Sequence, residues 1–136
     1  MFFNKDNNRK NFQTKICALL IHAAKIDEEY TDKEEKIIEK TLIELGLEKE
    51  YTSKIIKEAK EIEENSNQIL EFTREVKNLS EIDKIKIIES LWSIIYSNKE
   101  ADIYETNLMR RLAGLLYIDN KTMGDIKERV KKEYSE

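Results

Sequence analysis

The sequence predicts an all-α fold, a compact bundle of about seven helices. Three observations predict it. The 136 residues include no proline and only three glycines (Gly46, Gly114 and Gly124), too little turn punctuation for a sheet-rich fold. Apolar residues recur at i, i+3 and i+4 through most of the chain, the spacing of one helix face. The chain also repeats itself at an offset of 71 residues. An acidic turn around residues 27–35 returns at 98–105, so that Asp27 matches Asn98, Glu29 matches Glu100 and Glu34 matches Glu105. Apolar positions keep the same register: Leu20 with Leu91, Ile37 with Leu108, Leu45 with Leu116, and Leu47 with Ile118. The expected architecture is therefore two pseudo-symmetric helix–acidic loop–helix repeats in one domain, residues 1–136. Two like units packed about a pseudo-two-fold axis would bring the acidic loops close together.

Residues 1–10 are polar apart from Phe2 and Phe3 and are expected to be loose. A first helix is expected over about Asn11 to Ile26, with Phe12, Ile16, Leu19, Leu20, Ala23 and Ala24 on one face. Lys5, Arg9, Lys10 and Lys15 ahead of the apolar run at 16–21 loosely imitate a secretory leader. The run is short, however, His22 and Lys25 follow it, and its spacing continues a helical stripe. Thr31 or Asp32 can cap the second helix, with Glu34 or Glu35 completing a capping box. Its inward residues are Ile37, Ile38, Leu42 and Leu45, and Gly46 ends it.

The third helix, about Glu48 to Glu64, is the most polar and offers only a narrow stripe of Tyr51, Ile55, Ala59 and Ile62. A fourth helix follows the break at Asn65-Ser66-Asn67, with Ile69, Leu70, Phe72, Val76 and Leu79 as its apolar residues. Ser80 and Asp83 form the next cap signature. The fifth helix carries Ile85, Ile88, Leu91, Trp92, Ile95 and Tyr96, with Ile87 and Ile94 on other sides, and is expected to be central. Asp102 and Glu105 open the sixth helix, which points Leu108, Met109, Leu112, Leu115 and Leu116 inward. Gly114 is tolerable there if something packs close. The seventh helix starts near Asp119 or Asn120 with Met123, Ile126, Val130 and Tyr134, and its basic end complements the negative helix terminus.

Composition excludes several functions. The net charge of −4 comes without a basic block, whereas nucleic-acid binders carry a basic stripe. No apolar run approaches the length of a membrane span. Cys17 is alone, so no internal disulfide can form, and a cytoplasmic location is expected. Cys17 and His22 are five residues apart, which does not place them on one helical face, so thiol-based metal chemistry is not indicated.

Asp27, Glu29, Glu34, Asn98, Glu100 and Glu105 offer only oxygen ligands, the donors that calcium or magnesium takes. The loop is no EF-hand, because its sixth position from Asp27 is Asp32 rather than glycine and its twelfth is Ile38 rather than glutamate. The same carboxylates could instead cap helices and carry first-turn charge. In that case the domain would be a protein-interaction module, receiving a partner in an apolar groove. A metal-dependent hydrolase would use these residues too. No nucleophile–base pair, phosphate loop or Cys-x-x-Cys accompanies them, so no enzyme is expected.

The first loop reads Ala24-Lys25-Ile26-Asp27-Glu28-Glu29, with Glu34 five positions on. The second reads Ser97-Asn98-Lys99-Glu100, with Glu105 at the same interval, followed by Leu108-Met109-Arg110-Arg111-Leu112. With Phe72-Thr73 and Ile88-Glu89-Ser90-Leu91-Trp92, these segments resemble the TerB-like family. That family is named for tellurite resistance and is related to the N-terminal domain of a membrane-bound DnaJ-type co-chaperone. The likeness spans about Lys15 to Val130. It implies a seven-helix domain with internal two-fold similarity, metal binding by acidic residues at the loops, and a role in stress response. Both glycines of the family's loop pattern are replaced, by Glu28 and Lys99, and the second Asp is Asn98. The co-chaperone's J domain needs a His-Pro-Asp turn, and this chain has no proline.

Overall fold

The computed structural model describes residues 2–26, 31–65, 70–97 and 103–135. Within them the chain forms seven α-helices: α1 (Phe2–Ala24), α2 (Asp32–Glu44), α3 (Thr52–Glu64), α4 (Leu70–Val76), α5 (Glu81–Tyr96), α6 (Ile103–Leu115) and α7 (Asn120–Ser135). A 3-10 turn, Lys49–Tyr51, leads into α3. No strand occurs among the described residues, so the all-α bundle is as expected. None of the described helices is long and apolar enough to cross a membrane.

The helix α1 departs from expectation twice. It begins at Phe2, so the segment expected to be loose is helical. No proline or glycine interrupts residues 1–10, and an established helix extends more easily than it nucleates. Its middle is also buried on every side. Ile16, Cys17, Ala18, Leu19, Leu20 and Ile21 are all 0–1% exposed, because six consecutive apolar residues cover the full circumference of a helix. α1 packs on α2, α3, α4 and α5. α5, with Ile87, Ile88, Leu91, Ile94 and Ile95 buried, packs on α1, α2 and α7. The centre is thus shared between α1 and α5 rather than held by α5 alone.

α3 also turns differently from its predicted stripe. Tyr51 and Ile62 are exposed, and the inward face is Thr52, Ile55, Ile56, Ala59 and Glu63. The 3-10 turn sets this phase, with the Thr52 hydroxyl donating to the Lys49 carbonyl at 2.8 Å. In α6, a Cβ added to Gly114 would meet nothing within 4 Å, so no close approach requires that glycine.

The 71-residue repeat is written in the backbone hydrogen bonds that end α2 and α6. Leu45 N–H donates to the Thr41 carbonyl at 3.0 Å, Gly46 to Ile43 at 3.0 Å and Leu47 to Leu42 at 2.9 Å. Shifted by 71, Leu116 donates to Leu112 at 2.8 Å, Tyr117 to Gly114 at 3.4 Å and Ile118 to Ala113 at 2.9 Å. Both sets are Schellman caps, which satisfy the orphan carbonyls of a helix end. Burial repeats as well: Ile16 and Ile87, Cys17 and Ile88, and Leu20 and Leu91 are each fully enclosed.

Candidate functional site

Asp27, Glu29, Asn98 and Glu100 lie outside the described residues, as does the cap expected from Asp102. Glu34 and Glu105 are described, and they behave alike. Each sits in the first turn of its helix, α2 or α6, and they are only 1% and 4% exposed. Burial of this degree is unusual for carboxylates, which need compensating partners once out of water.

For Glu34 a compensating set is visible. Thr31 has an extended backbone (φ −96°, ψ 161°) and occupies the N-cap of α2. Glu34 N–H donates to Thr31 Oγ1 at 3.2 Å, and Glu34 Oε1 accepts from Thr31 N–H at 2.8 Å and from the Thr31 hydroxyl at 3.0 Å. This is a complete capping box, and it selects Thr31 and Glu34 from the pairs the sequence allowed. Near Glu105, the Tyr96 hydroxyl feels the negative charge. Burial raises the phenol above the ordinary tyrosine range, and the carboxylates of Glu128 and Glu105 raise it further.

The flanks of the two loops meet. Lys33 Nζ, in the first turn of α2, donates to the Ser97 carbonyl at 3.4 Å. Ser97 is the C-cap of α5 and the last described residue before the second loop. The same ammonium lies 5.9 Å from the centre of the Tyr134 ring on α7. The start of α2 and the ends of α5 and α7 therefore converge on Lys33.

A second polar cluster, missed by sequence reasoning, joins α1 to α3. Glu63 is buried, and its Oε2 accepts from Lys25 Nζ at 2.7 Å while Oε1 lies 3.3 Å from His22 Nδ1. Ile21, Lys25, Lys60, Glu63 and Glu64 line a pocket of about 140 Å³ beside it. Lys60 also pairs with Glu35 of α2 at 3.0 Å. The available signal was spacing, since Glu63 continues the line of Thr52, Ile55, Ile56 and Ala59 along one face of α3. Cys17 lies buried, and burial pushes its thiol far above the ordinary range, with Glu35 adding to the shift and Lys60 opposing it.

A family model described as tellurite resistance protein TerB matches residues 13–128. The chain belongs to the TerB family. No curated protein and no solved structure gave a match. In this TerB chain, Trp92 is buried in the core. It stacks on Tyr96 with ring centres 5.9 Å apart, and Lys127 Nζ sits 5.5 Å from its ring centre. Its indole N–H is buried without a hydrogen-bond partner.

The TerB family implies a metal at the loops, and the donor chemistry fits a hard cation: every proposed ligand is a carboxylate or amide oxygen. Among the described residues, no group of three or more His, Cys, Asp or Glu side chains is placed to hold a metal ion. Of the six residues expected as ligands, only Glu34 and Glu105 are among the described residues.

Proposed function

We propose that this TerB domain is a non-enzymatic stress-response module of the tellurite-resistance type, acting in the cytoplasm. It takes up a divalent cation, calcium or magnesium, at its paired acidic loops. Asp27, Glu29 and Glu34 supply one half of the site, and Asn98, Glu100 and Glu105 the other. The carboxylates hold the ion, and the ion draws the loops together. One observation carries this reading: Glu34 and Glu105, equivalent in the repeat, are both buried beside loops whose flanks are joined by the Lys33–Ser97 contact. Buried carboxylates flanking adjacent loops are an arrangement that a cation would stabilise.

A second reading also has an observation in its favour. The capping box gives Glu34 a complete structural role without any ion. A protein-interaction module with no metal site would need nothing more from it.

Melting the native chain and a Glu34→Gln/Glu105→Gln variant with calcium, magnesium, manganese and zinc separates the two. A specific ion at a hundredfold excess over its Kd stabilises a folded protein by about 2.7 kcal/mol. Stabilisation of the native chain that the double variant loses supports the cation module. Unchanged melting of the native chain with all four ions favours the interaction module.

A further inference from the structure

The outer face of α6 differs in kind from the rest of the surface. Helices α2, α3 and α7 meet water with mixed lysine and glutamate. α6 has no lysine or aspartate, and its one glutamate, Glu105, is buried. It exposes instead Tyr104, Asn107, Arg110, Arg111 and Gly114, which helical spacing puts on one face. Tyr117 follows just past its end, and Tyr104 and Tyr117 are the two most exposed large apolar side chains among the described residues. The chain has five arginines against nineteen lysines, so an adjacent arginine pair is not a consequence of composition. Among the described residues neither guanidinium has an ion-pair or hydrogen-bond partner, whereas Lys25, Lys60 and Arg129 are each matched by a glutamate. Tyrosine and arginine are enriched at protein–protein contacts, where lysine and glutamate are depleted. Tyr117 adds an independent sign. It holds a left-handed backbone, φ 58°, where the first repeat uses Gly46, yet its side chain lies in water. A bulky residue is strained in that conformation, and no burial within this domain offsets the strain. Nothing crowds the face, since a Cβ at Gly114 would meet no atom within 4 Å.

We infer that the outer face of α6, from Tyr104 to Tyr117, is a docking surface for a short acidic segment of a partner protein. Arg110 and Arg111 take its carboxylates in forked, charge-assisted pairs. Tyr104 and Tyr117 pack on the apolar side chains that accompany them. The kind of partner follows from charge. This face carries two cations and no exposed acid, on a chain of net charge −4. A long polyanion or an anionic membrane would meet the repulsion of the whole chain. A short segment meets only the local pair, because screening confines the interaction to about 8 Å at physiological salt. Glu105, the proposed cation ligand on α6, lies on its buried side, so the inference does not depend on the cation reading.

The test is an NMR titration of the isotope-labelled chain with a synthetic peptide, Asp-Glu-Leu-Asp-Glu-Leu-Asp-Glu. Its Asn/Gln counterpart, a thymidylate oligonucleotide and phosphatidylserine-containing vesicles serve as comparison probes. Amide shifts should centre on residues 104–117, with a Kd of about 0.1–1 mM for the acidic peptide. Arg110→Glu/Arg111→Glu should weaken binding at least about tenfold. Both arginines are exposed, so that chain should melt as the native one does. Tyr117→Gly should bind about fivefold more weakly while melting higher than the native chain, a combination that a purely structural tyrosine would not give. It tests the same face should the charge-reversed chain fail to fold. No shift of α6 amides at about 5 mM acidic peptide, equal binding of the neutral peptide, or undiminished binding by the variants would overturn the inference. Binding of the oligonucleotide or the vesicles through α6, with the acidic peptide left unbound, would overturn the assigned partner.

Discussion

Gly46 and Tyr117 occupy the same position in the two repeats, and both have left-handed backbones, with φ of 106° and 58°. Each follows a helix by the same Schellman hydrogen bonds. Glycine adopts this conformation without steric cost, whereas a residue with a Cβ loses about 1–2 kcal/mol in it. Tyr117 is 74% exposed, so little packing offsets that cost. Tyr117→Gly should therefore stabilise the domain by about 0.5–1 kcal/mol, after allowing for the greater freedom of glycine in the unfolded chain. Gly46→Ala should destabilise it by about 1 kcal/mol or more. Urea unfolding of both variants checks the pair, and a loss of stability in Tyr117→Gly would mean that the tyrosine packs on something that offsets the strain.

This pair also shows what the sequence could and could not convey. Gly46 announces a helix end because glycine is the usual residue there. Tyr117 carries no such mark, and only the 71-residue register identifies it. The same limit explains Glu63. Carboxylates ordinarily face water, so a stripe drawn through apolar residues alone passes over one that is buried and ion-paired. The central place of α1 was hidden for the opposite reason. Six apolar residues in a row have no periodicity of their own, so a stripe drawn through Ile16, Leu19 and Leu20 marks one buried face and does not reveal that the other faces are buried too. The loop residues were legible as a pattern of oxygen donors, but side-chain type does not fix whether such donors cap helices or bind an ion. Glu34 demonstrates this by completing a capping box at a proposed ligand position.

Between α2 and α5, Thr41 Oγ1 is hydrogen-bonded to the Ile37 carbonyl at 2.9 Å and to Ser90 Oγ at 2.6 Å. Both hydroxyls are in buried residues. Thr41→Val preserves shape but leaves the serine without this partner, and should cost about 1–3 kcal/mol. Ser90→Ala should fall in the same range. The double variant should lose at least about 0.5 kcal/mol less than the sum, because neither hydroxyl is then stranded. Strictly additive losses in denaturant unfolding would show that the two groups are energetically independent.

Cys17 should be chemically silent in the folded domain. The thiolate is the reactive form, and enclosure of Cys17 within α1 disfavours it, with Glu35 adding to the effect. Labelling by an aromatic disulfide reagent should be at least about a thousandfold slower in buffer than in denaturing urea, since it must wait for rare unfolding. Its rate should follow the unfolding transition as urea is raised. Rapid labelling of the native chain would place the thiol within reach of solvent and restore it as a candidate for redox chemistry.

Asp119 gives a pH signature to the start of α7. Its Oδ1 accepts from Thr122 N–H at 2.6 Å. This bond, then the Thr122 hydroxyl, hold the carboxyl below the ordinary aspartate range. A carboxyl whose value is depressed by folding contributes stability that is fully present above the unfolded value, about 3.9, and is lost as pH falls through the folded value. The native chain should therefore melt above Asp119→Ala by a constant margin from about pH 6 to 8, and that margin should shrink as the acid passes below about pH 4. Asp119→Asn, which caps without ionising, should lie close to the native chain near neutrality and keep its advantage over Asp119→Ala in acid. Melting curves of the three chains at pH 7 and near pH 3 are sufficient. A margin between the native chain and Asp119→Ala that grows on acidification would reverse the assigned sign and remove Asp119 as the charged cap of α7.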